Sequence, residues 1–233
     1  MKKMKKRVLA VIAIMAIMCM TLTGCGTKMA PADETVSALF ELTAKSNAAP
    51  MKDLLGFASE EDVRSTFFEE GADMELVDEL SSELSNAGVD LSDEEVQEIT
   101  DSIVAVLDKV NYTTEITSES SDKTVVTLKV YGYSMSDMNQ AMMDAQAKML
   151  DSLTEDDQIA IMGGDMEVMS KYMQQYLNDF LTELSDMELS TEPVEITVNC
   201  ERLAVDVNGK ETVAWLPNDM DGFSNDIAAA MFQ

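Results

Sequence analysis

The sequence contains no histidine among its 233 residues, and this absence removes whole classes of chemistry. A Ser-His-Asp or Cys-His nucleophile, a histidine-ligated zinc ion and an imidazole proton shuttle all require that side chain. The sequence also lacks a phosphate-binding glycine loop and a Gly-x-Ser-x-Gly nucleophile elbow. An enzyme built from this chain would depend on carboxylates, and with 44 acidic residues their spacing in sequence identifies no particular pair.

Positive charge is scarce, with 16 basic residues in all, and five of them lie in residues 1–7. Val8–Met20 then carries no charge, and small residues follow it. A cationic head followed by an apolar stretch of about 13 residues is typical of a secretory signal, because a membrane-spanning helix needs about 20. The pattern therefore predicts that the chain is exported.

The segment Leu22-Thr23-Gly24-Cys25 resembles the lipobox of bacterial lipoproteins. The resemblance implies that the Cys25 thiol is diacylglycerated and that the chain is cut just before it. Residues 1–24 would then be a signal peptide and residues 25–31 a short tether. Acyl chains such as palmitate would hold the protein on the extracytoplasmic face of the cell membrane. The alternative is an ordinary cleaved signal with a coincidental cysteine.

Loss of the signal would leave a strongly acidic chain, with 11 basic and 44 acidic residues and a net charge of −33. Such a surface repels nucleic acid phosphates and anionic lipid head groups, so we expect no nucleic acid partner. Cys19 would leave with the signal and Cys25 would be acylated. Cys200 could then form no intrachain disulfide, and its apolar surroundings in sequence predict a buried small hydrophobe.

Helical periodicity dominates the first half of the mature chain. It predicts a helix over 32–46, and a second helix that begins after Ser59 and carries its apolar face through Leu76, Leu80 and Leu84 toward Gly88. Ser92 and Glu95 form a capping box before a third helix. The acidic triplets at 60–62, 93–95 and 155–157 are interpreted as first helical turns, where negative charge is favourable, rather than as catalytic or metal clusters.

Strand-like alternation appears in two places. Tyr112–Ser118 and Thr124–Tyr133 predict one hairpin, and Val194–Leu216 predicts a second. Between them the residues from Met135 to Asp186 are helical, with a new start at Thr154 and a break at Gly163-Gly164. A short helix over 223–231 follows the second hairpin.

The second hairpin allows a more detailed prediction. Its apolar alternation slips by one residue near Glu201-Arg202, which predicts a β-bulge there. A two-residue turn on Asn208-Gly209 would place Arg202 opposite Trp215 and mix polar with apolar residues on both faces. We therefore expect a three-residue turn with Gly209 in the left-handed conformation.

These elements predict an α+β fold, in which a curved antiparallel sheet of about four strands packs against several helices. A helical insertion separates the two hairpins, and residues 32–233 are expected to form a single domain. The segments 32–46, 111–134 and 194–216 resemble the cone-shaped, nuclear-transport-factor-two-like (cystatin-like) domain of uncharacterised lipoproteins in Gram-positive bacteria. Such cones serve as enzymes, as ligand-binding modules and as structural modules, so the resemblance implies a fold and no activity.

Four aromatic residues on the predicted strands are candidates for a binding pocket on the concave face of the sheet: Tyr112, Tyr131, Tyr133 and Trp215. Cross-strand packing is the alternative role, and it is the one that their strand positions favour. Asn218–Gly222 resembles a calcium loop only superficially, because Pro217 and Ala228 stand where an EF-hand needs ligands. We expect no cofactor and no metal.

Methionine is unusually frequent, and four residues recur at helical spacing: Met162, Met166, Met169 and Met173. Further methionines precede them, at positions 135, 138, 142, 143 and 149. The expected role is packing in the core of a helical hairpin. The alternatives are a deformable groove for a partner and a thioether site for Cu(I), which would have no histidine or nearby cysteine to assist it.

The sequence therefore predicts a lipid-anchored, non-catalytic binding or envelope-interaction module whose protein or small-molecule ligand it does not name. The competing function is a hydrolase-like enzyme that uses paired carboxylates in the pocket of the cone. A transporter's solute-binding component would show alternating strands and helices in a longer chain, and that pattern is absent.

Overall fold

A computed structural model describes residues 29–68 and 92–233. Along the chain, these residues form α1 (Ala32–Lys45), α2 (Ala49–Leu55), α3 (Glu60–Phe67), α4 (Asp93–Asp108), β1 (Asn111–Glu119), β2 (Lys123–Tyr131), α5 (Met135–Ser152), α6 (Glu155–Met162), α7 (Met166–Asp186), β3 (Val194–Val207), β4 (Lys210–Pro217) and α8 (Met220–Met231). They divide into two compact units. The described part of unit 1 is 29–68, 112–130 and 193–231, and that of unit 2 is 92–111, 131–192 and 232–233. The single domain expected over 32–233 stays a prediction.

Unit 1 contains a four-stranded antiparallel sheet in the order β1-β2-β3-β4. The prediction of an α+β fold with two hairpins and a helical insertion between them is confirmed. Val130 at the end of β2 pairs with Val194 at the start of β3, so the insertion leaves and rejoins the sheet at neighbouring positions. The pairing of these two strands therefore holds the two ends of the insertion next to each other.

The core of unit 1 lies on the face of the sheet that carries the regular apolar alternation. Leu128 pairs with Ile196 and Val126 pairs with Val198, and all four side chains are buried. Directly opposed β-branched and aliphatic residues are the stabilising contacts of an antiparallel sheet. Helix α1 packs on β4, and α8 packs on both β3 and β4. Phe40 of α1 is fully buried in this layer.

The predicted bulge and three-residue turn are both wrong. The register from the Cys200–Pro217 pair to the Val207–Lys210 pair is unbroken, which leaves a two-residue turn at Asn208-Gly209. The apolar alternation slips because the two halves of β3 bury opposite faces of one continuous strand. Its buried residues are Ile196, Val198 and Cys200 in the first half, and Val205 and Val207 in the second.

The pairing of Arg202 with Trp215 is the feature that made a two-residue turn look unfavourable, and the structure has that pairing. The guanidinium carbon of Arg202 lies 5.0 Å from the centroid of the Trp215 ring. A cation over an aromatic face is attracted by the ring quadrupole, so the pair is favourable although one partner is charged. Polarity alone was therefore a poor guide to this register.

The hairpin turn is anchored by its first central residue. Asn208 and Gly209 have φ values of 56° and 76°, the left-handed pair that a type I′ turn requires. The Asn208 side chain accepts a hydrogen bond from Ala58 N and donates one to Gly56 O, each at 2.9 Å. These bonds fix the turn to the link between α2 and α3.

The predicted helix boundaries are largely confirmed in unit 1. Helix α1 matches the predicted span, and α3 begins after Ser59, whose hydroxyl accepts a hydrogen bond from Asp62 N. Helix α3 ends at Phe67, and the predicted continuation through Leu76, Leu80 and Leu84 lies outside the described residues. Helix α8 begins three residues earlier than predicted and ends at Met231 as predicted.

Unit 2 is built on α7, which packs against α4, α5 and α6. Its buried residues include Ala141 and Ala145 on α5, Tyr172 on α7, and Val96, Ile99 and Val106 on α4. The predicted new start at Thr154 and the break at Gly163-Gly164 are confirmed, since α6 begins directly after Thr154 and ends before Gly163. Within the described ranges, no helix is both long enough and apolar enough to cross a membrane.

We predict that substitutions of Asn208 separate its two contributions to the free energy of unfolding. Asn208→Gly keeps the left-handed conformation and removes the two side-chain hydrogen bonds, so it should cost about 1–2 kcal/mol. Asn208→Ala removes the same bonds but keeps a Cβ in the left-handed region, so it should cost about 1 kcal/mol more than Asn208→Gly. Urea unfolding measures both values, and equal losses for the two variants would contradict this account.

Candidate functional site

Tyr112, one of the four predicted pocket residues, packs against α1. Its ring centroid lies 4.2 Å from that of Phe40, with the planes tilted by 36°. Its hydroxyl lies 2.8 Å from Ser37 Oγ, and burial raises the pKa of Tyr112. Trp215 is also in unit 1 and is 3% exposed, with one face covered by Arg202. Both side chains are therefore committed to packing contacts within unit 1.

Tyr131 and Tyr133 belong to unit 2. Tyr131 is half-buried at the last position of β2. The predicted strand from Thr124 to Tyr133 is two residues too long, because β2 ends at Tyr131, and Tyr133 beyond it is fully buried. The Tyr133 hydroxyl donates a 2.8 Å hydrogen bond to Val106 O near the end of α4, and burial raises its pKa. The pocket-lining role of the four residues stays a prediction.

Cys25 lies outside the described residues, so Cys200 is the cysteine that the structure places. It is 1% exposed on β3, as expected for a buried small hydrophobe. Burial raises the pKa of the Cys200 thiol to about 12. Because the thiolate is the nucleophile and the metal ligand, this side chain is chemically inert at neutral pH.

The acidic triplets are confirmed as first helical turns, since α3, α4 and α6 begin at Glu60, Asp93 and Glu155. Capping boxes precede two of them, formed by Ser92 with Glu95 and by Thr154 with Asp157. Hydrogen bonds from the backbone and side chain of Ser92 lower the pKa of Glu95. The Glu95 and Asp157 carboxylates therefore accept hydrogen bonds from the backbone N–H groups of Ser92 and Thr154 at the helix starts.

Asp157 has an additional partner in the interior of unit 2. The Tyr172 hydroxyl donates to Asp157 Oδ2 at 2.7 Å and also contacts Ser152 O at 3.3 Å. The hydrogen bond from Thr154, followed by that from Tyr172, lowers the pKa of the Asp157 carboxyl. The Asp157–Tyr172 pair thus joins α6 to α7, and the Tyr172 hydroxyl extends the contact to the end of α5.

The acidic turn at Asn218–Gly222 caps a helix. Asp219 Oδ1 accepts a 2.9 Å hydrogen bond from Gly222 N at the start of α8. A Cβ at position 222 would lie 2.5 Å from Asp219 Oδ2, so the carboxylate occupies the space that only glycine leaves. Across 29–68 and 92–233, no three Asp, Glu or Cys side chains come together as a metal site.

The prediction that the methionine stripe faces a core is wrong. The exposed fractions of Met162, Met166, Met169 and Met173 are 81%, 51%, 38% and 38%, and Met143 on α5 is 60% exposed. The α5–α7 seam is instead filled by Ala141, Ala145 and Tyr172. The stripe lies beside that seam, on a face that no other described element covers closely. A deformable groove, the alternative to core packing, matches this arrangement.

A shallow cleft of about 370 Å³ opens between α5 and α7. Its lining residues are Asn139, Met142, Met143, Gln146 and Tyr176. Tyr176 stacks on Phe180 at 6.3 Å between ring centroids. Sequence reasoning missed Tyr176 and Phe180, although their spacing of three and seven residues from Met173 was a usable signal that they share its helix face.

We predict that Asp157 makes the stability of unit 2 pH-dependent. Its folded-state pKa is below its ordinary value of 3.8. The stabilisation is therefore fully present above the ordinary value and is lost as the pH falls through the lowered one. Asp157→Asn should destabilise the protein more at pH 7 than at pH 3 in urea unfolding.

Asp156→Asn is the matched control, because it removes a neighbouring carboxylate that receives neither the Thr154 nor the Tyr172 hydrogen bond. Its effect should vary less with pH. A loss for Asp157→Asn that is the same at both pH values would contradict this role.

Comparison with known proteins gives one structural likeness. No protein-family model matches the chain, and no curated protein matches it. The fold is similar to the crystal structure of a candidate lipoprotein (ycdA) from Bacillus subtilis, with a TM-score of 0.53 and 13% sequence identity. The match covers 87% of this chain and 56% of that one, so the chain spans little more than half of its neighbour. The likeness establishes the α+β fold alone.

Proposed function

We propose that this protein is a lipid-anchored extracytoplasmic lipoprotein whose folded part is a non-catalytic binding module at the cell envelope. The observation that carries the proposal is Leu22-Thr23-Gly24-Cys25, which follows a cationic head and an uncharged apolar stretch of signal-peptide length. The structural neighbour from Bacillus subtilis, a Gram-positive bacterium, bears the name of a lipoprotein, which supports this assignment.

The length of the tether limits where the module acts. Acylated Cys25 would be followed by six further residues before α1 begins at Ala32. Residues 25–31 reach at most about 25 Å when fully extended. The first helix would therefore stay within that distance of the membrane. A partner would be one that is itself at the envelope surface.

The chemistry of the described side chains supports a non-catalytic role. The Cys200 thiol is buried and protonated, and the chain has no histidine to activate a hydroxyl. Glu95 and Asp157 are ionised caps with lowered pKa values, which is the opposite of what a general acid needs. The exposed methionines and the cleft beside them are features of a binding surface instead.

We predict that labelled palmitate enters the protein through Cys25. Bacterial cells that process lipoproteins and produce the full chain should incorporate the label, and Cys25→Ser should abolish incorporation. Cys200→Ser is the matched control and should keep it, because that thiol is buried and protonated. Label retained on Cys25→Ser, or an unmodified Cys25 in the mass spectrum of the mature N-terminal peptide, would overturn the anchor.

A further inference from the structure

The large exposed hydrophobic side chains of the described residues are concentrated in unit 2. They are Val104, Met135, Met142, Met143, Leu150, Ile159, Met162, Met166, Met169 and Met173, with only Val213 in unit 1. Single exposed apolar residues are normal on a protein surface, whereas a contiguous group marks an interaction site. Seven of the ten in unit 2 are methionines, which are flexible and polarisable and adapt to different partners.

Part of this set lines one groove between two antiparallel neighbours, α5 and α7. On α5 the groove is lined by Met142 and Met143, together with Asn139 and Gln146. On α7 it is lined by Tyr176. Met169, Met173 and Phe180 share the helix face of Tyr176, at spacings of seven, three and four residues. We name this surface, Met142, Met143, Met169, Met173, Tyr176 and Phe180, the methionine groove.

The groove lies in a strongly acidic unit. Over 92–111, 131–192 and 232–233 the chain carries 19 acidic and three basic residues, a net charge of −16. All three lysines are already engaged. Lys148 pairs with Glu183, Lys109 donates to Ser185 O, and the Lys171 amine lies 4.9 Å from the centroid of the Tyr172 ring. Because the groove lies in so acidic a unit, it favours a binding partner that carries positive charge.

We propose that the methionine groove binds a cationic amphipathic helix of another protein. Helix α5 has 18 residues and α7 has 21, so each runs for about 27–32 Å, which accommodates a partner helix of four to five turns. The apolar face of that helix would meet the methionines, and its lysines and arginines would face the surrounding carboxylates. A second copy of this surface would bring a second acidic unit, with a net charge of −16 over its described residues, and an anionic membrane would repel the same surface.

This inference deepens the proposed binding role and does not depend on the lipid anchor. The test uses the full chain in phosphatidylcholine nanodiscs and a synthetic 18-residue peptide of leucine and lysine with one apolar face. Fluorescence anisotropy of the labelled peptide measures binding, and empty nanodiscs provide the blank. A leucine and glutamate peptide of the same pattern tests the charge requirement.

We predict that Met143→Gln, which removes the apolar contact without adding charge, weakens binding of the cationic peptide by about tenfold. Met143 is 60% exposed, so the substitution should leave the fold intact. Met142→Gln, at the other methionine that lines the cleft, should have a similar effect. Val213→Gln is the matched control, because Val213 lies on β4 in unit 1, outside the groove, and is 48% exposed, and it should retain wild-type affinity.

Binding by the cationic peptide alone, weakened at higher salt and by both groove variants, would support the proposal. Equal binding of the anionic peptide, or cationic binding that Met143→Gln and Met142→Gln leave unchanged, would overturn it. Dimerisation of the full chain that Met143→Gln abolishes in sedimentation would assign the groove to a second copy instead. None of these outcomes changes palmitate incorporation at Cys25, so a failure here is distinct from a failure of the anchor.

Discussion

The pairing of β2 with β3 is the contact on which both units depend. Val130 and Val194 are opposite each other, so the 63 residues between them must begin and end within one strand spacing. Bringing the two ends of that long segment together costs chain entropy, and this cost grows only slowly with the length of the segment. Buried cross-strand pairs such as Leu128 with Ile196 offset it. Without this pairing the two hairpins would not form one sheet, and the two ends of the insertion would not be held next to each other.

Much of the fold could be predicted because its determinants are local. A hydroxyl followed three residues later by a carboxylate located the starts of α3, α4 and α6, since capping involves neighbours in sequence. Period-two alternation located the strands, because it too is a pattern of neighbours in sequence. The errors occurred where distant chain segments decide the outcome. The alternation on β3 could not show that its two halves are covered on opposite faces, and polarity could not show that Arg202 stacks on Trp215.

The candidate site shows the same limit more clearly. Periodicity placed Met166, Met169 and Met173 on one helix face, although Met162 belongs to the preceding helix. It carries no information about whether another element covers that face. The α5–α7 seam has its own filling of alanine and tyrosine, so the stripe beside it stays exposed. The hydrogen-bond partners of the carboxylates at helix starts were easier to predict, because most of them are close in sequence. The contacts of Asp157 with Tyr172, 15 residues apart, and of Glu95 with Gln174, 79 residues apart, needed the tertiary structure.

The order of segments in unit 1 has a consequence for how the protein is made. Helix α1 near one end of the chain packs on β4 and α8 near the other, with most of the sequence between them. Contacts of such long sequence separation form slowly and only when both segments are present. An exported chain would therefore complete this core only after its last strand had emerged from the translocation machinery. Until then, α1 would expose Leu39 and Phe40 to the proteases and chaperones outside the membrane.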